Sequence, residues 1–337
     1  MIHFDRLSDV ADLIADLPKP DAIAMGTAKA RQATLTKPPG SLGRLEELAL
    51  FMAGWRATPR PEIKHAQALV FAGNHGVCAQ GVNAFPQSVT AQMVQNFETG
   101  GAAINQLCQI NGAALSVIAL EQLTPTRDFT IDEAMTEPQV VDALNRGANA
   151  VRPVADILIL GEMGIGNSTV AAALCAALFG GPTAQWVGPG TGSGADGVAL
   201  KIASLESGLA RHASLQGNPL AVLQAYGGHE QAALCGAILA ARLQRTPVIL
   251  DGYICTAAAG ILHALNPSLL DHCLVGHMSG EPGHHQLLKK IGKRPLLDLD
   301  MRLGEGTGAA LALSVLRAAL TCHNGMATFA EAGVSTQ

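Results

Sequence analysis

A repeated order of local patterns constrains the fold of this chain more than any other feature. A short apolar run is followed by a glycine-rich turn and then by an alanine-rich helical segment, as in residues 157–160, 161–166 and 168–178. Apolar runs bounded by turn residues indicate buried strands, and their alternation with helices is typical of parallel sheets. The sequence therefore predicts an α/β fold, a doubly wound parallel sheet flanked by helices.

The same patterns place further elements along the chain. Strands are predicted over residues 68–72, 115–120, 157–160, 184–187, 247–250, 273–275 and 296–299. Helices are predicted over residues 43–55, 89–110, 139–148, 168–178, 197–212, 228–243, 256–265 and 308–320. Residues 1–60 carry a helical pattern without strands. We therefore expect residues 1–60 and about 305–337 to form a small helical subdomain beside a Rossmann-like α/β domain over residues 61–304, which carries the nucleotide site.

Composition excludes several classes of protein. The chain has 337 residues, of which 48% are hydrophobic and 15% are charged, so a large core can form and disorder is not expected. A net charge of −5 without a basic stripe argues against nucleic-acid binding. The seven cysteines are scattered and form no C-x-x-C pair, which favours reduced thiols in a cytoplasmic protein. Neither a signal peptide nor a membrane-spanning apolar stretch is predicted.

Ligands of such sheets bind beyond the carboxyl ends of the strands, and the turn at residues 161–169 carries the strongest signal. It nearly matches the phosphate-binding Gly-x4-Gly-Lys-Ser motif of ATPases, but Asn167 replaces the lysine that reaches a triphosphate. A plain capped turn explains the pattern about as well, whereas the carboxylate of Glu162 is poorly explained by packing. The residues predicted to hold a monophosphate are Gly164, Gly166, Asn167 and Ser168.

A second glycine-rich turn, residues 188–194, follows the strand predicted over 184–187. Lys201, early in the next helix, is positioned to fold back onto a phosphate as a point charge, although a solvated surface lysine is the commoner case. Asp251 follows the strand predicted over 247–250. It either accepts hydrogen bonds from ribose hydroxyls or caps the next helix.

Residues 276–285 contain three histidines after the strand predicted over 273–275. His284 and His285 are adjacent and would point apart on a helix, and no H-x-x-x-H or matched carboxylate accompanies them. A zinc site is therefore not expected. We predict instead that Ser279 is a polar ligand contact.

The last turn, residues 302–308, places Glu305 between two glycines at the start of the final alanine- and leucine-rich helix. The helix dipole alone favours an acidic residue there, but it does not explain a glycine on each side. Flanking glycines leave the carboxylate unshielded and let a substrate ring approach. The helix N-terminus also favours the ionised form that a base needs. Glu305 is therefore the candidate general base.

Four segments occur together and in order. They are Lys-Pro-Pro-Gly-Ser-Leu-Gly-Arg-Leu at 37–45, Gly-Asn-His-Gly-Val at 73–77, the turn at 161–169, and Met-Arg-Leu-Gly-Glu-Gly-Thr-Gly at 301–308. The chain thereby resembles the nicotinate-nucleotide–dimethylbenzimidazole phosphoribosyltransferase family over about residues 25–325. The resemblance implies transfer of phosphoribose from nicotinate mononucleotide to 5,6-dimethylbenzimidazole with inversion, giving α-ribazole 5′-phosphate and nicotinate. It also implies a homodimer and, because no pyrophosphate leaves, neither a metal ion nor a cofactor.

The resemblance also assigns roles to residues. Glu305 matches the general base and Glu162 a second essential carboxylate. Contacts to phosphate and ribose fall on Lys201, Ser279 and the backbone at 164–168 and 188–190, which includes Gly188 and Gly190. The acceptor-base pocket falls on Phe85, Met93, Ile165 and Leu303.

Three alternatives stay open at this point. The acceptor can be adenine, another benzimidazole or a phenol, although Phe85 offers no hydroxyl and favours an apolar aromatic base. The chain can be a non-catalytic nucleotide-binding protein of the same fold, which both retained glutamates argue against. An NTPase is disfavoured because Asn167 replaces the lysine of the motif.

Overall fold

The computed structural model describes residues 2–190, 192–215 and 217–335. Within these residues, six strands form one sheet in the order β2-β1-β3-β4-β5-β6, and every neighbouring pair is parallel. The strands are β1 (Ala66–Ala72), β2 (Ala113–Ala119), β3 (Ile157–Met163), β4 (Val248–Leu250), β5 (Cys273–Met278) and β6 (Pro295–Asp298). The predicted α/β fold with a parallel sheet is confirmed.

Helices connect the strands and cover both faces of the sheet. The α-helices are α1 (Asp9–Asp12), α2 (Ala22–Thr34), α3 (Arg44–Arg56), α4 (Ser88–Glu98), α5 (Ala103–Ile110), α6 (Glu137–Ala150), α7 (Asn167–Phe179), α8 (Ala195–Arg211), α9 (Pro219–Tyr226), α10 (His229–Leu243), α11 (Tyr253–Leu265), α12 (Pro282–Ile291), α13 (Thr307–Gly325) and α14 (Phe329–Ala332). Short 3-10 helices span Leu13–Asp16, Gly76–Gln80, Glu121–Leu123, Thr183–Gln185, Ala213–Leu215 and Pro267–Leu270. In the described part of the chain, no helix is both long enough and apolar enough to cross a membrane.

Alternate residues of the strands contribute side chains to two separate hydrophobic cores. Leu158 and Leu160 of β3 face a core built with α6, α7 and α9 to α12, whereas Ile157 and Ile159 face a smaller core built with α3, α5 and α13. Side chains of a strand alternate between the two faces of a sheet. Because both faces are covered, β1 is buried along its whole length, which explains the continuous apolar run over residues 68–72.

The N-terminal segment divides between the two cores. Helix α3 packs against α13 in the smaller core through Leu48, Ala49 and Met52. Phe4 and Val10, by contrast, lie in the larger core, where Phe4 exchanges two backbone hydrogen bonds with the Asn145 side chain of α6. The division into a helical subdomain and a Rossmann-like domain stays a prediction.

Two predicted elements were wrong. Residues 184–187 form no strand, because Trp186 bonds locally: its backbone N–H donates to Thr183 at 3.0 Å and its indole N–H to the Gly180 carbonyl at 2.9 Å. The helix predicted over 89–110 is two helices, α4 and α5. The break falls at Gly100, whose φ of 83° is incompatible with a right-handed helix.

The carboxyl ends of β1 and β3 form a switch point of the sheet. The chain leaves β1 towards β2 on one side and returns to β3 on the other, so the crossovers diverge and open a crevice. Ala72 is paired with Met163, so the two strands end at the same level. Gly73 N–H then donates to the Met163 carbonyl at 3.0 Å and closes the floor of the crevice.

Glycines allow α6 and α10 to pack backbone against backbone. A Cβ atom at Gly236 would overlap the carbonyl oxygen of Leu144, and one at Gly147 would overlap that of Ala233. The abundance of small residues in this sequence therefore has a direct structural role at this helix pair.

Replacing Gly236 with alanine should lower the free energy of unfolding by about 1–3 kcal/mol or more, because the helices must separate to admit one methyl group. Gly26→Ala in α2 is the matched control. No atom lies within 4 Å of a Cβ at that position, so we expect a gain of about 0.5–1 kcal/mol from the helix preference of alanine. Urea unfolding measures both, and equal effects would contradict the packing argument.

Candidate active site

A cleft opens at the carboxyl ends of the strands. Of the residues predicted from the sequence, the cleft is lined by Phe85, Glu162, Gly164, Ile165, Gly166, Asn167, Ser168, Gly190, Lys201, Ser279 and Leu303. Its other lining residues are Val82, Asn83, Ala84, Met163, Ser193, Gly252, Tyr253, Ile254, His277, Glu281, Arg302 and Gly304. Gly188, Met93, Asp251 and Glu305 do not line it directly. Thr191, in the second glycine-rich turn, lies outside the described residues.

The turn after β3 presents the N-terminus of α7 to the cleft. Gly166 adopts a φ of 95° and is the N-cap of α7, a conformation that favours glycine. A Cβ at Gly164 would lie 2.5 Å from the Gly73 carbonyl oxygen, so this position also tolerates no side chain. Backbone N–H groups at a helix N-terminus and the positive end of the helix dipole attract anions. The arrangement can therefore hold a phosphate group.

A buried histidine–glutamate pair lies against this turn. His75 Nε2 lies 2.8 Å from Glu230 Oε1, and both side chains are fully buried. A Cβ at Gly164 would lie 3.0 Å from the same His75 nitrogen. The sequence analysis included His75 only within a motif and did not identify Glu230, because the partner comes from a helix more than 150 residues away in the chain, His229–Leu243.

Lys201 brings a cation to the same end of the cleft. Its Nζ donates to the Gly188 carbonyl at 3.1 Å and to Ser168 Oγ at 3.3 Å, so Gly188 contributes through its backbone. Glu281 lies opposite and accepts a hydrogen bond from the Gly190 N–H at 2.9 Å. Burial lowers the pKa of Lys201 and raises the pKa of Glu281. Sequence reasoning missed Glu281, although it follows a strand end as Ser279 does.

Glu162 is buried at the centre of the cleft. Its Oε2 accepts a hydrogen bond from the Asn167 amide, and a Cβ at Gly304 would lie 2.7 Å from its Oε1. Burial raises the pKa of Glu162 well above its usual range, and the nearby carboxylates of Asp251, Glu230 and Glu305 raise it further. A positive charge brought into the cleft would act in the opposite direction and favour the ionised form of Glu162.

Glu305 lies in a strained turn just behind the cleft wall. It has a φ of 63°, and the flanking Gly304 and Gly306 have a φ of 82° each. For a residue other than glycine this left-handed conformation costs about 1–3 kcal/mol, and such strain clusters at functional sites. Its Oε2 is buried without a hydrogen-bond partner among the described residues. Burial and, second, Asp251 raise the pKa of Glu305 to about 7.

Asp251 anchors this strained turn. Its two carboxylate oxygens accept hydrogen bonds from Gly306 N–H and Ala309 N–H, each at 3.0 Å. The prediction that Asp251 caps the next helix in the chain, which is α11, is wrong. Asp251 caps α13 instead, because β4 ends beside the start of α13. Contact of Asp251 with ribose stays a prediction.

The apolar side of the cleft is only partly shielded. Phe85 is 47% exposed and Leu303 is 50% exposed, whereas Ile165 is buried at the base of the cleft. Met93 packs instead against the smaller core. Large apolar side chains at this degree of exposure in a cleft are suited to contact a flat apolar ligand.

The histidines of residues 276–285 have separate roles. His277 lines the cleft, with Nδ1 at 3.4 Å from Asp251 Oδ1. His284 is buried, accepts a hydrogen bond from Ser279 N–H and contacts Thr256 Oγ1 at 3.2 Å, so it positions the cleft residue Ser279. No three His, Cys, Asp or Glu side chains are grouped to hold a metal ion in the described ranges.

Comparisons with known proteins agree with one another. The model of a family described as "Phosphoribosyltransferase" matches residues 17–334. A protein of Rhodobacter capsulatus named nicotinate-nucleotide–dimethylbenzimidazole phosphoribosyltransferase is 61% identical, over 99% of this chain and 100% of that protein. One of the same name from Cereibacter sphaeroides is 54% identical over 98% of each. A crystal structure of an enzyme so named from Thermus thermophilus is 42% identical, covers 94% of this chain and 100% of its own, and superposes with a TM-score of 0.87.

Replacing Glu305 with glutamine should stabilise the protein at pH 8. The pKa of Glu305 is raised from 4.5 to about 7, so its stabilising contribution is complete below pH 4.5 and is lost as the pH rises through about 7. The variant should therefore gain on the order of 2–3 kcal/mol at most in free energy of unfolding at pH 8, and the gain should vanish near pH 4.5. Exposed Glu98→Gln is the control. Equal stability of variant and wild type at pH 8 would refute the raised pKa.

Proposed function

The chain belongs to the phosphoribosyltransferase family, and from this premise we propose that it transfers the phosphoribosyl group of nicotinate mononucleotide to 5,6-dimethylbenzimidazole. The products are α-ribazole 5′-phosphate and nicotinate. The observation that carries the proposal is a cleft that is lined by an anion-binding helix N-terminus and has, just behind its wall, a carboxyl group whose pKa is about 7. The printed names of the relatives supply the substrates.

The phosphate of the donor binds between α7 and α8. Gly166 offers a backbone donor and Ser168 a hydroxyl donor, and Lys201 supplies a point charge. Ser279 lines the opposite wall and contacts the ribose or phosphate. The carboxylate of Glu281 already accepts the hydrogen bond from the Gly190 N–H, so it limits the net positive charge of the phosphate-binding site. This balance suits a monophosphate better than a polyphosphate.

Two carboxyl groups have separate roles in the proposed reaction, and Glu305 is the general base. The benzimidazole nitrogen that attacks the anomeric carbon becomes positive, so the other ring N–H needs a proton acceptor. Glu305 accepts that proton, because its pKa of about 7 leaves a large ionised fraction at neutral pH while keeping it a competent base. Attack opposite to the departing nicotinate inverts the anomeric carbon from β to α. The departing nicotinate changes from a pyridinium to a neutral pyridine ring, so no general acid is needed.

Glu162 stabilises the positive charge that develops on the sugar. It lies in the cleft between the phosphate-binding turn and Gly304. The donor carries a pyridinium cation, which favours the ionised form of Glu162 on binding. The carboxylate then lies near the oxocarbenium-like transition state, in an environment where burial strengthens the interaction.

The acceptor base stacks on the apolar side of the cleft. Phe85, Ile165 and Leu303 provide that surface, and none carries a hydroxyl, which favours a benzimidazole over a phenol. Turnover of dimethylbenzimidazole, benzimidazole, adenine and a phenol, with identification of the products, distinguishes these acceptors.

We propose that the active form is a cytoplasmic homodimer. Light scattering during gel filtration tests the oligomeric state. The seven free cysteines are compatible with a reducing compartment.

Replacing Glu305 with glutamine should lower the rate of transfer by at least about 100-fold, the usual scale for loss of a general base. Binding of nicotinate mononucleotide should change little, because the amide keeps the volume of the side chain. Release of nicotinate measures the rate, and calorimetry measures binding. Unchanged turnover would remove Glu305 from the mechanism, and absence of turnover in the wild type would reject the proposed reaction.

Replacing Lys201 with methionine should raise the KM for nicotinate mononucleotide by about 10- to 100-fold, because a charge-assisted contact of about 1.5–3 kcal/mol is lost. The matched control is Lys29→Met, at an exposed position of α2. Inhibition by the phosphate-free nucleoside should be the same in both variants. A KM that rises equally for donors with and without phosphate would contradict the placement of the phosphate.

A further inference from the structure

We propose that Asp251 is a positioning residue that holds the carboxyl group of Glu305 in its reactive place and sets the pH range in which that group acts as a base. This inference deepens the proposed function and rests on it. Asp251 is fully buried and does not line the cleft. It acts through the backbone of the turn that carries Glu305.

The turn cannot hold its shape by local preference. Gly304, Glu305 and Gly306 all have positive φ angles, 82°, 63° and 82°. A glutamate seldom adopts such a conformation, and residues of this kind persist only where the surroundings determine them. The contacts made by the neighbouring groups must therefore supply the restraint.

Asp251 supplies that restraint from one side. Its Oδ2 accepts a hydrogen bond from Gly306 N–H, the amide immediately after Glu305, and its Oδ1 accepts one from Ala309 N–H in the first turn of α13. On the other side the turn rests on β3: a Cβ at Gly161 would lie 2.6 Å from the carbonyl carbon of Glu305. The backbone of Glu305 is thus held between a strand and a carboxylate.

The same carboxylate is also a charge close to Glu305. The ionisable groups that face this region are Glu162 at the end of β3, Asp251 after β4, Cys255 in α11, His277 in β5 and Glu230 in α10. Of these, Asp251 is the one that raises the pKa of Glu305, in addition to burial. Removing its charge should therefore lower the pKa of Glu305, so that the base becomes ionised at a lower pH.

The test uses Asp251→Asn and Asp251→Ser, both of which remove the charge. The asparagine variant retains the shape of the side chain, but its amide NH2 group would face one of the two backbone N–H donors. The serine variant has no such NH2 group. We expect kcat to fall by about 10- to 100-fold, the scale for a displaced catalytic group, while the KM for nicotinate mononucleotide changes less than about threefold. We also expect the acidic limb of the pH profile of kcat to move to lower pH. The measurement is made at saturation with both substrates, so that protonation of the unbound acceptor base does not contribute to the pH profile of kcat.

Thr307→Val is the matched control for the same turn. It removes the hydrogen bond from Thr307 Oγ1 to the Gly304 carbonyl, 2.7 Å long, without changing the charge. Its kcat should fall, but the midpoint of its acidic limb should stay at the wild-type pH. A shift in both Asp251 variants and none in Thr307→Val supports the proposal.

Three outcomes would overturn the inference. An acidic limb that stays at the wild-type pH in folded Asp251 variants would reduce Asp251 to a structural helix cap. An unchanged kcat would reject positioning. Failure of both variants to fold, judged by circular dichroism and gel filtration, would assign Asp251 to the stability of the sheet instead of the base. A wild-type protein without transfer activity would instead reject the proposed function, so the two failures are distinguishable.

Discussion

The hydrogen bonds from Gly306 N–H and Ala309 N–H to Asp251 join the start of α13 to the end of β4. The rest of the candidate site depends on this junction. Helix α13 comes from the C-terminal part of the chain and packs with α3 in the smaller core, whereas the phosphate-binding turn follows β3. The junction brings Glu305 beside Glu162 although the two residues are 143 positions apart in the sequence. Parallel strands make this possible, because their carboxyl ends all meet at one edge of the sheet.

A second constraint is the accumulation of buried carboxyl groups at that edge. Glu162, Glu230, Asp251 and Glu305 all have at most 5% of their surface exposed, and the first three have different partners. Glu230 pairs with His75, Asp251 binds backbone amides, and Glu162 accepts from Asn167. Among the described residues, Glu305 Oε2 has no hydrogen-bond partner, and neither has either carboxylate oxygen of Glu230, although one of them lies beside His75. Such a group costs stability and is retained where its reactivity is needed.

Much of this organisation can be predicted from the sequence, for reasons that are local. A strand such as β1, buried on both faces, contains an apolar run, here residues 68–72. The glycines around Glu305 are visible because they are adjacent to it. The strand predicted at 184–187 failed because so short a segment, interrupted by Gln185, can equally be a turn, here closed by the Trp186 indole on Gly180. The role of Asp251 as the cap of α13 could not be predicted, because its partners lie 55 and 58 positions away in the chain. Glu230 and Glu281 were missed for the same reason: their partners are distant in sequence.

The substitution within the phosphate-binding motif shows how one residue changes the chemistry of such a turn. In an ATPase the lysine at the position of Asn167 reaches the terminal phosphates. Here Asn167 donates to Glu162, so it connects the phosphate-binding turn to the second carboxyl group. A lysine at that position would form an ion pair with Glu162 and hold it permanently ionised, which would reduce its response to a cationic donor. The positive charge comes instead from Lys201 in α8, on the other side of the cradle. Separating the cation that binds phosphate from the carboxyl group that faces the sugar lets each act on a different part of the same nucleotide.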